Sequence, residues 1–228
     1  FVAILTRDRG IVRATARGAK RTKSRFGSST QPLCYSRLSL IPGRDKYIIE
    51  DAQPIEVFFA LRQDVERLAL AQYFCELALR MCPTDTDATR HLRLLLGGLH
   101  YLAQGEKNPL LVKSVVEGRL LSLEGYMPDL TGCPLCGQPD TPLWFSPAAG
   151  TLSCAAHAGQ GDAMEVSAGV LAALRHILYG EFERCFAFAL PTADCALLAT
   201  LMERFLLAQT QHRFATLDFY HTLRAEGI

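Results

Sequence analysis

The stretch FVAILTRDRGIVRATARGAKRTKSRF, residues 1–26, decides the fold. Two short runs rich in β-branched residues, Phe1 to Thr6 and Ile11 to Ala16, flank Asp8-Arg9-Gly10, where the terminal Gly supplies the backbone angle a tight hairpin needs. Working outward, Leu33 to Ile41 and Tyr47 to Val57 have the same character, and Pro42-Gly43-Arg44-Asp45 between them reads as a second turn. Strands of this kind over residues 1–58 predict a small five-stranded barrel, because closure removes exposed sheet edges. Four strands are visible and the chain has no initiator Met, so a lost N-terminal segment carrying the first barrel strand is expected.

The same stretch carries the charge. Residues 1–46 hold eleven Lys or Arg against Asp8 and Asp45, a balance of +9, while the remaining 182 residues balance at −8. The formal net charge of +1 conceals this asymmetry. Local rather than total charge attracts phosphates, so the pattern predicts a polyanion-binding face instead of an ordinary solvated surface. Its centre is the polar loop from Arg17 to Thr30, which carries five bases. Arg13, Arg17, Lys20, Arg21, Lys23 and Arg25 are the candidate phosphate contacts, with Phe26, Tyr35 and Tyr47 as candidate stacking platforms or, equally, barrel core.

From about residue 60 the apolar period changes from two to 3.6. Leu61, Val65, Leu68, Tyr73 and Leu77 share a helical face that ends near Cys82-Pro83, since proline blocks the next turn. Asp87 can cap a helix over 88–103, Asn108-Pro109 opens another running to about residue 125, and Ser167 opens one to Tyr179 before Gly180. A last helix starts near Pro191-Thr192. The predicted class is therefore α+β: residues 1–58 a β-barrel, residues 59–228 an α-helical domain. With 228 residues, 49% hydrophobic and 21% charged, the chain is long enough for one or two globular domains. No run approaches the roughly 18 apolar residues of a membrane span, and the start lacks secretory features.

Inside the helical half, at about residues 130–160, lies a non-helical insert. Cys133-Pro-Leu-Cys136-Gly is followed, after 17 residues counted from Gly137, by Cys154-Ala-Ala-His157. Two such pairs let three thiolates and an imidazole converge on one tetrahedral Zn2+. Four protein ligands leave no position for water or substrate, so the zinc is expected to be structural and to supply folding free energy. A disulfide is the weaker alternative, because nothing suggests export and cytosolic thiols stay reduced. A zinc deaminase would need an upstream H-x-E, which neither His91-Leu-Arg nor His100-Tyr-Leu provides. Cys34, Cys75, Cys82, Cys185 and Cys195 read as small buried hydrophobes, and His91, His100, His176, His212 and His221 as structural or solvent-facing. No phosphate loop, nucleophile elbow or paired-carboxylate pattern argues for catalysis.

Together these pieces resemble the bacterial recombination mediator RecO family. The residues carrying the likeness are LTRDRGIVRATARGAKR at 5–21, Lys23-Ser-Arg25, Gln31-Pro32, Ala52-Gln-Pro-Ile-Glu56, EGRLLSLEGY at 117–126, and Pro128-Asp-Leu130. Cys133, Cys136, Phe145-Ser-Pro147, Gly150 and Cys154 complete it, and His157 stands where many zinc-bearing members have a fourth Cys. The resemblance implies an N-terminal OB-fold, a helical C-terminal domain with the zinc insert, and no enzymatic turnover. It also implies binding of single- and double-stranded DNA, strand annealing, pairing with RecR, and recognition of the acidic C-terminal tail of single-stranded-DNA-binding protein. Such a protein helps place RecA on coated single strands in the bacterial cytoplasm, with no membrane partner. For the acidic tail, Lys113 or Arg119 on the third helix is the expected base. A zinc-stabilised RNA-binding or ribosome-associated module and a zinc hydrolase are the competing classes.

Overall fold

The structure, a computed structural model, describes residues 1–16, 26–44, 46–139, 142–158 and 161–226. The four expected strands form: β1 (Val2–Thr6), β2 (Gly10–Thr15), β3 (Cys34–Pro42) and β4 (Tyr47–Val57). They make one sheet in the order β1-β2-β4-β3, with β1 antiparallel to β2, β3 antiparallel to β4, and a short parallel pairing of Ala14 and Thr15 with Tyr47 and Ile48. Register shifts at Tyr35/Ser36 and Ser39/Leu40 bend the β3–β4 ribbon. Ala14, Phe26, Ile49 and Ala52 are buried together, with Val2, Ile4, Leu38, Leu40 and Tyr47 packed against them. Phe26 is thus core rather than a stacking platform.

Three helices join this sheet in one compact unit of residues 1–104 and 214–228: α1 (Val65–Met81), α2 (Thr89–Gln104) and α6 (Ala215–Glu226). Asp64 caps α1 by accepting from the Arg67 amide at 3.0 Å, and Asp87 accepts from the amide and hydroxyl of Thr89 at the start of α2. The first hairpin is tied to the α1–α2 connection by backbone hydrogen bonds: Ile11 N–H to Pro83 O (2.8 Å), Asp85 N–H to Arg9 O (3.0 Å) and Ala88 N–H to Arg7 O (2.7 Å).

Gly10 is the pivot of that seam. Its φ is +59°, and a Cβ there would lie 1.9 Å from the Pro83 carbonyl oxygen. The obstacle is backbone, which cannot rotate away. Gly10→Ala is expected to destabilise the protein by about 2–4 kcal/mol, from the left-handed backbone penalty and the overpacking together. Urea denaturation followed by helical ellipticity checks this. An unchanged midpoint would mean that the hairpin is not held against the connection.

The second compact unit, residues 105–213, contains α3 (Pro109–Leu123), the insert, α4 (Ala168–Tyr179) and α5 (Thr192–Thr210). Asn108 and Ser167 cap α3 and α4 as the sequence predicts, accepting from Leu110 N–H at 2.9 Å and Val170 N–H at 3.1 Å. Helix α3 is buried on every side from Leu111 to Leu121. Gly118 permits that: a Cβ there would lie 2.6 Å from Ile177 Cγ2 and 2.9 Å from Met202 Cε. The insert forms a small sheet in the order β6-β5-β7, from β5 (Leu143–Ser146), β6 (Thr151–Cys154) and β7 (Met164–Val166).

One helix escaped the sequence reading, which ends the helical run with α5. The chain breaks at Gln211, left-handed at φ +48°, and restarts as α6. The start of α6 is capped from a distance: the Glu76 carboxylate on α1 accepts from the amides of Ala215 (3.2 Å) and Thr216 (2.9 Å) and from the Thr216 hydroxyl. No described helix is long and apolar enough to cross a membrane.

Candidate metal centre and nucleic-acid interface

The two cysteine pairs occupy two knuckles of the insert. In the first, the Gly137 amide donates to Cys133 O at 2.7 Å, the Cys133 amide donates to Gln138 O at 2.8 Å, and Gly137 takes a φ of +75° that turns the chain back. In the second, Cys154 ends β6, and the amides of His157 and Ala158 donate to its carbonyl at 2.9 and 2.7 Å. Strand pairing of Leu143 with Cys154 fixes where that knuckle begins.

These turns bring the Sγ atoms of Cys133, Cys136 and Cys154 and a ring nitrogen of His157 within 4.8 Å of one another. The Sγ atoms of Cys136 and Cys154 are 3.6 Å apart, and His157 Nδ1 lies 3.5 Å from Cys133 Sγ and 3.2 Å from Cys154 Sγ. A tetrahedral ion with metal–sulfur bonds near 2.3 Å and metal–nitrogen bonds near 2.05 Å would separate its donors by about 3.8 and 3.6 Å. The four residues therefore fit one metal ion. Backbone amides, that of Cys154 foremost, hold the Cys133 thiol down to about 6 against the cost of desolvation, with Leu135 and Cys136 adding to the effect. A thiol so biased is prepared to act as a thiolate ligand.

Side chains outside the pairs anchor the insert. Arg175 on α4 donates from Nε and Nη2 to Leu130 O at 2.9 and 2.8 Å. Asp162 accepts from Ser146 Oγ at 2.6 Å and from the Ala148 amide at 2.7 Å. Asp129 accepts from Thr131 through hydroxyl and amide, which hold its carboxyl below the usual range. The Phe145 and Phe205 rings meet edge to face at 5.9 Å. Sequence reasoning passed over Arg175 and Asp162, because their partners are backbone groups or lie outside any recognisable spacing.

Of the basic candidates, Arg13 projects from β2 and is exposed. Arg17, Lys20, Arg21, Lys23 and Arg25 lie outside the described residues. Arg37, Arg44 and Lys46, on or beside the β3–β4 ribbon, are also exposed, whereas Arg7 is paired with Asp8 at 2.8 Å. Tyr35 and Tyr47 are half-buried.

The bases chosen for an acidic tail are not surface groups. Lys113 is 1% exposed, and its ammonium sits 2.8 Å from Glu117 Oε1 and 2.8 Å from Glu203 Oε2. Arg119 is buried and donates to the carbonyls of Gly180 (2.6 Å) and Glu181 (2.9 Å). Both bases are engaged within their own unit because α3 has no solvent face. Two of the five cysteines read as buried hydrophobes depart from that expectation: Cys75 is exposed and Cys34 half-buried, while Cys82, Cys185 and Cys195 are buried.

The strand sheet, the helices that follow it and the cysteine–histidine knuckle pair define an α+β protein with a candidate metal centre, and comparison with known proteins gives the family. The family described as Recombination protein O N terminal matches residues 1–58, and that described as Recombination protein O C terminal matches residues 62–218. The DNA repair protein RecO of Acetivibrio thermocellus is 30% identical over 225 residues, 98% of this chain and 90% of that protein. The DNA repair protein RecO of Symbiobacterium thermophilum is 31% identical over 230 residues, 99% of this chain and 91% of that protein. The chain belongs to the RecO family, and membership assigns it to DNA repair by recombination.

Proposed function

We propose that this chain is a recombination mediator that binds single- and double-stranded DNA through phosphates, anneals complementary strands, and with RecR helps load RecA onto DNA coated by single-stranded-DNA-binding protein. It performs no catalytic turnover and acts in the cytoplasm, at the nucleoid. The observation that carries this reading is the likeness to DNA repair proteins over nearly the whole chain. The charge balance of +9 in residues 1–46 supplies the physical basis. Annealing follows if cations neutralise two strands at once without reading bases. The metal is one Zn2+, held by Cys133, Cys136, Cys154 and His157. Three thiols and an imidazole are donors that zinc prefers, and four protein ligands leave no open position for a reacting group.

The test is annealing of complementary oligonucleotides, with and without their coating protein. Wild type is to be compared with a variant carrying Arg17→Ala, Lys20→Ala, Arg21→Ala and Lys23→Ala. If about five bases meet phosphates on a single strand, log affinity falls against log salt with a slope of about −3.5 for wild type. The quadruple variant is expected to show a slope of about −0.7 and slowed annealing. Equal annealing by the two proteins would remove the basic loop as the DNA surface.

A further inference from the structure

The four donors of the metal cluster are not equally protected. Cys133 and Cys154 are buried, whereas Cys136 and His157 are exposed. Cys136 Sγ reaches across from the first knuckle to within 3.6 Å of Cys154 Sγ in the second. Cys154 is fixed at the end of β6 by pairing with Leu143, while Cys136 sits on the surface turn that precedes Gly137. One thiol of this touching pair is therefore open to a small solute, and its neighbour is held ready behind it.

The geometry points to Cys136 and Cys154 as a peroxide-sensitive pair: oxidation of the exposed thiolate joins it to its buried neighbour and withdraws two of the four metal donors. This rests on the reading of the cluster as a zinc site. The Cys136 thiolate attacks one oxygen of hydrogen peroxide, the O–O bond breaks, hydroxide leaves, and a sulfenic acid remains on Cys136. The Cys154 thiolate then attacks that sulfur; the S–S bond forms, the S–O bond breaks, and a second hydroxide leaves. The two sulfurs together lose two electrons and the peroxide gains them. Closing the bond requires the sulfurs to approach from 3.6 Å to about 2.05 Å, a movement the surface turn of Cys136 can supply. Cys133 and His157 alone cannot complete a tetrahedral set, so metal retention falls with the oxidation.

The cysteines outside the cluster differ from Cys136 in exposure or position. Cys82, Cys185 and Cys195 are buried and Cys34 is half-buried, whereas Cys136 is exposed. Cys75 is exposed but lies on α1, outside the cluster.

The experiment uses the full chain with its zinc content measured beforehand. Hydrogen peroxide is titrated in, released zinc is followed with 4-(2-pyridylazo)resorcinol, and free thiols are blocked with N-ethylmaleimide. No Lys or Arg lies between Arg119 and Arg175, so trypsin leaves all four ligands in one peptide. Chymotrypsin, cutting at Trp144 and Phe145, separates Cys136 from Cys154, and fragmentation assigns the blocked cysteine. The expected result is zinc released in step with a Cys136–Cys154 disulfide, Cys133 remaining alkylated, and recovery on adding dithiothreitol and zinc. Cys75→Ser is expected to respond as wild type. Cys136→His keeps four donors and should release zinc about tenfold more slowly or less. A Cys133–Cys136 disulfide, sulfinic acid on Cys136 without a disulfide, or release with every thiol still alkylatable would overturn the inference. Protein that never holds zinc refutes the zinc reading and the coupling to it, while the disulfide map of that metal-free protein still decides the thiol pair.

Discussion

Replacing Cys154 with alanine, or stripping the metal with a strong chelator, is expected to unfold the insert between residues 130 and 166 and to lower the thermal midpoint by on the order of 10 °C or more. Structural zinc contributes about 10–16 kcal/mol to the folding of isolated finger peptides. In this insert such a contribution would add to that of a small apolar core of Leu130, Leu143, Phe145, Leu152 and Val166, all buried. Those side chains contribute roughly 1.5–3 kcal/mol each, too little to order a segment whose every residue costs about 1–2 kcal/mol of backbone entropy. Trp144 on β5 is the single tryptophan of the chain and reports the event locally. Its emission should shift to longer wavelength on metal removal and return on adding Zn2+. The helical ellipticity should change far less. Emission unchanged by chelation, in protein shown to have held metal, would mean that the strands and the Arg175 anchor order the insert unaided.

A comparable loss is expected from Lys113→Met, which leaves Glu117 inside α3 without its cation. Glu117 is fully buried, whereas Glu203, the other partner of Lys113, keeps 19% of its side-chain surface and can turn toward water. Stranding one member of a buried pair costs about 3–5 kcal/mol, because the uncompensated charge remains in a medium of low polarity. For a chain of this size that corresponds to a fall in thermal midpoint of roughly 6–20 °C. Adding Glu117→Leu to Lys113→Met should recover most of the loss, since a well-packed apolar pair of similar volume replaces the ions at little net cost. A double variant as unstable as the single one would show that the pair holds α3 through hydrogen bonds no apolar side chain can replace.

What could be read in advance, and what could not, follows from where each signal lies along the chain. Strand alternation and turn glycines are local, so β1 to β4 were legible, as were the caps Asp87, Asn108 and Ser167. The metal cluster was legible because all four ligand types sit in two short, regularly spaced pairs. Lys113 and Glu117 look like an exposed i, i+4 pair, and only the apolar residues around the rest of α3 betray that the helix has no outer face. Helix α6 was missed because its cap is Glu76, about 140 residues upstream, and because the break before it is made by Gln211 without a glycine or proline to mark it. The Arg175 and Asp162 anchors were invisible for the same reason, as contacts between distant segments leave no spacing in the sequence.

The discontinuous unit formed by residues 1–104 and 214–228 has a consequence for synthesis. A ribosome delivers the N-terminal part first, yet the Glu76 carboxylate has no α6 to cap until the last segment has emerged. The uninterrupted span 105–213 can close on itself earlier. A stop codon placed just after α5 is therefore expected to spare the unit with the cysteine–histidine cluster, residues 105–213, while leaving the strand-bearing unit without α6.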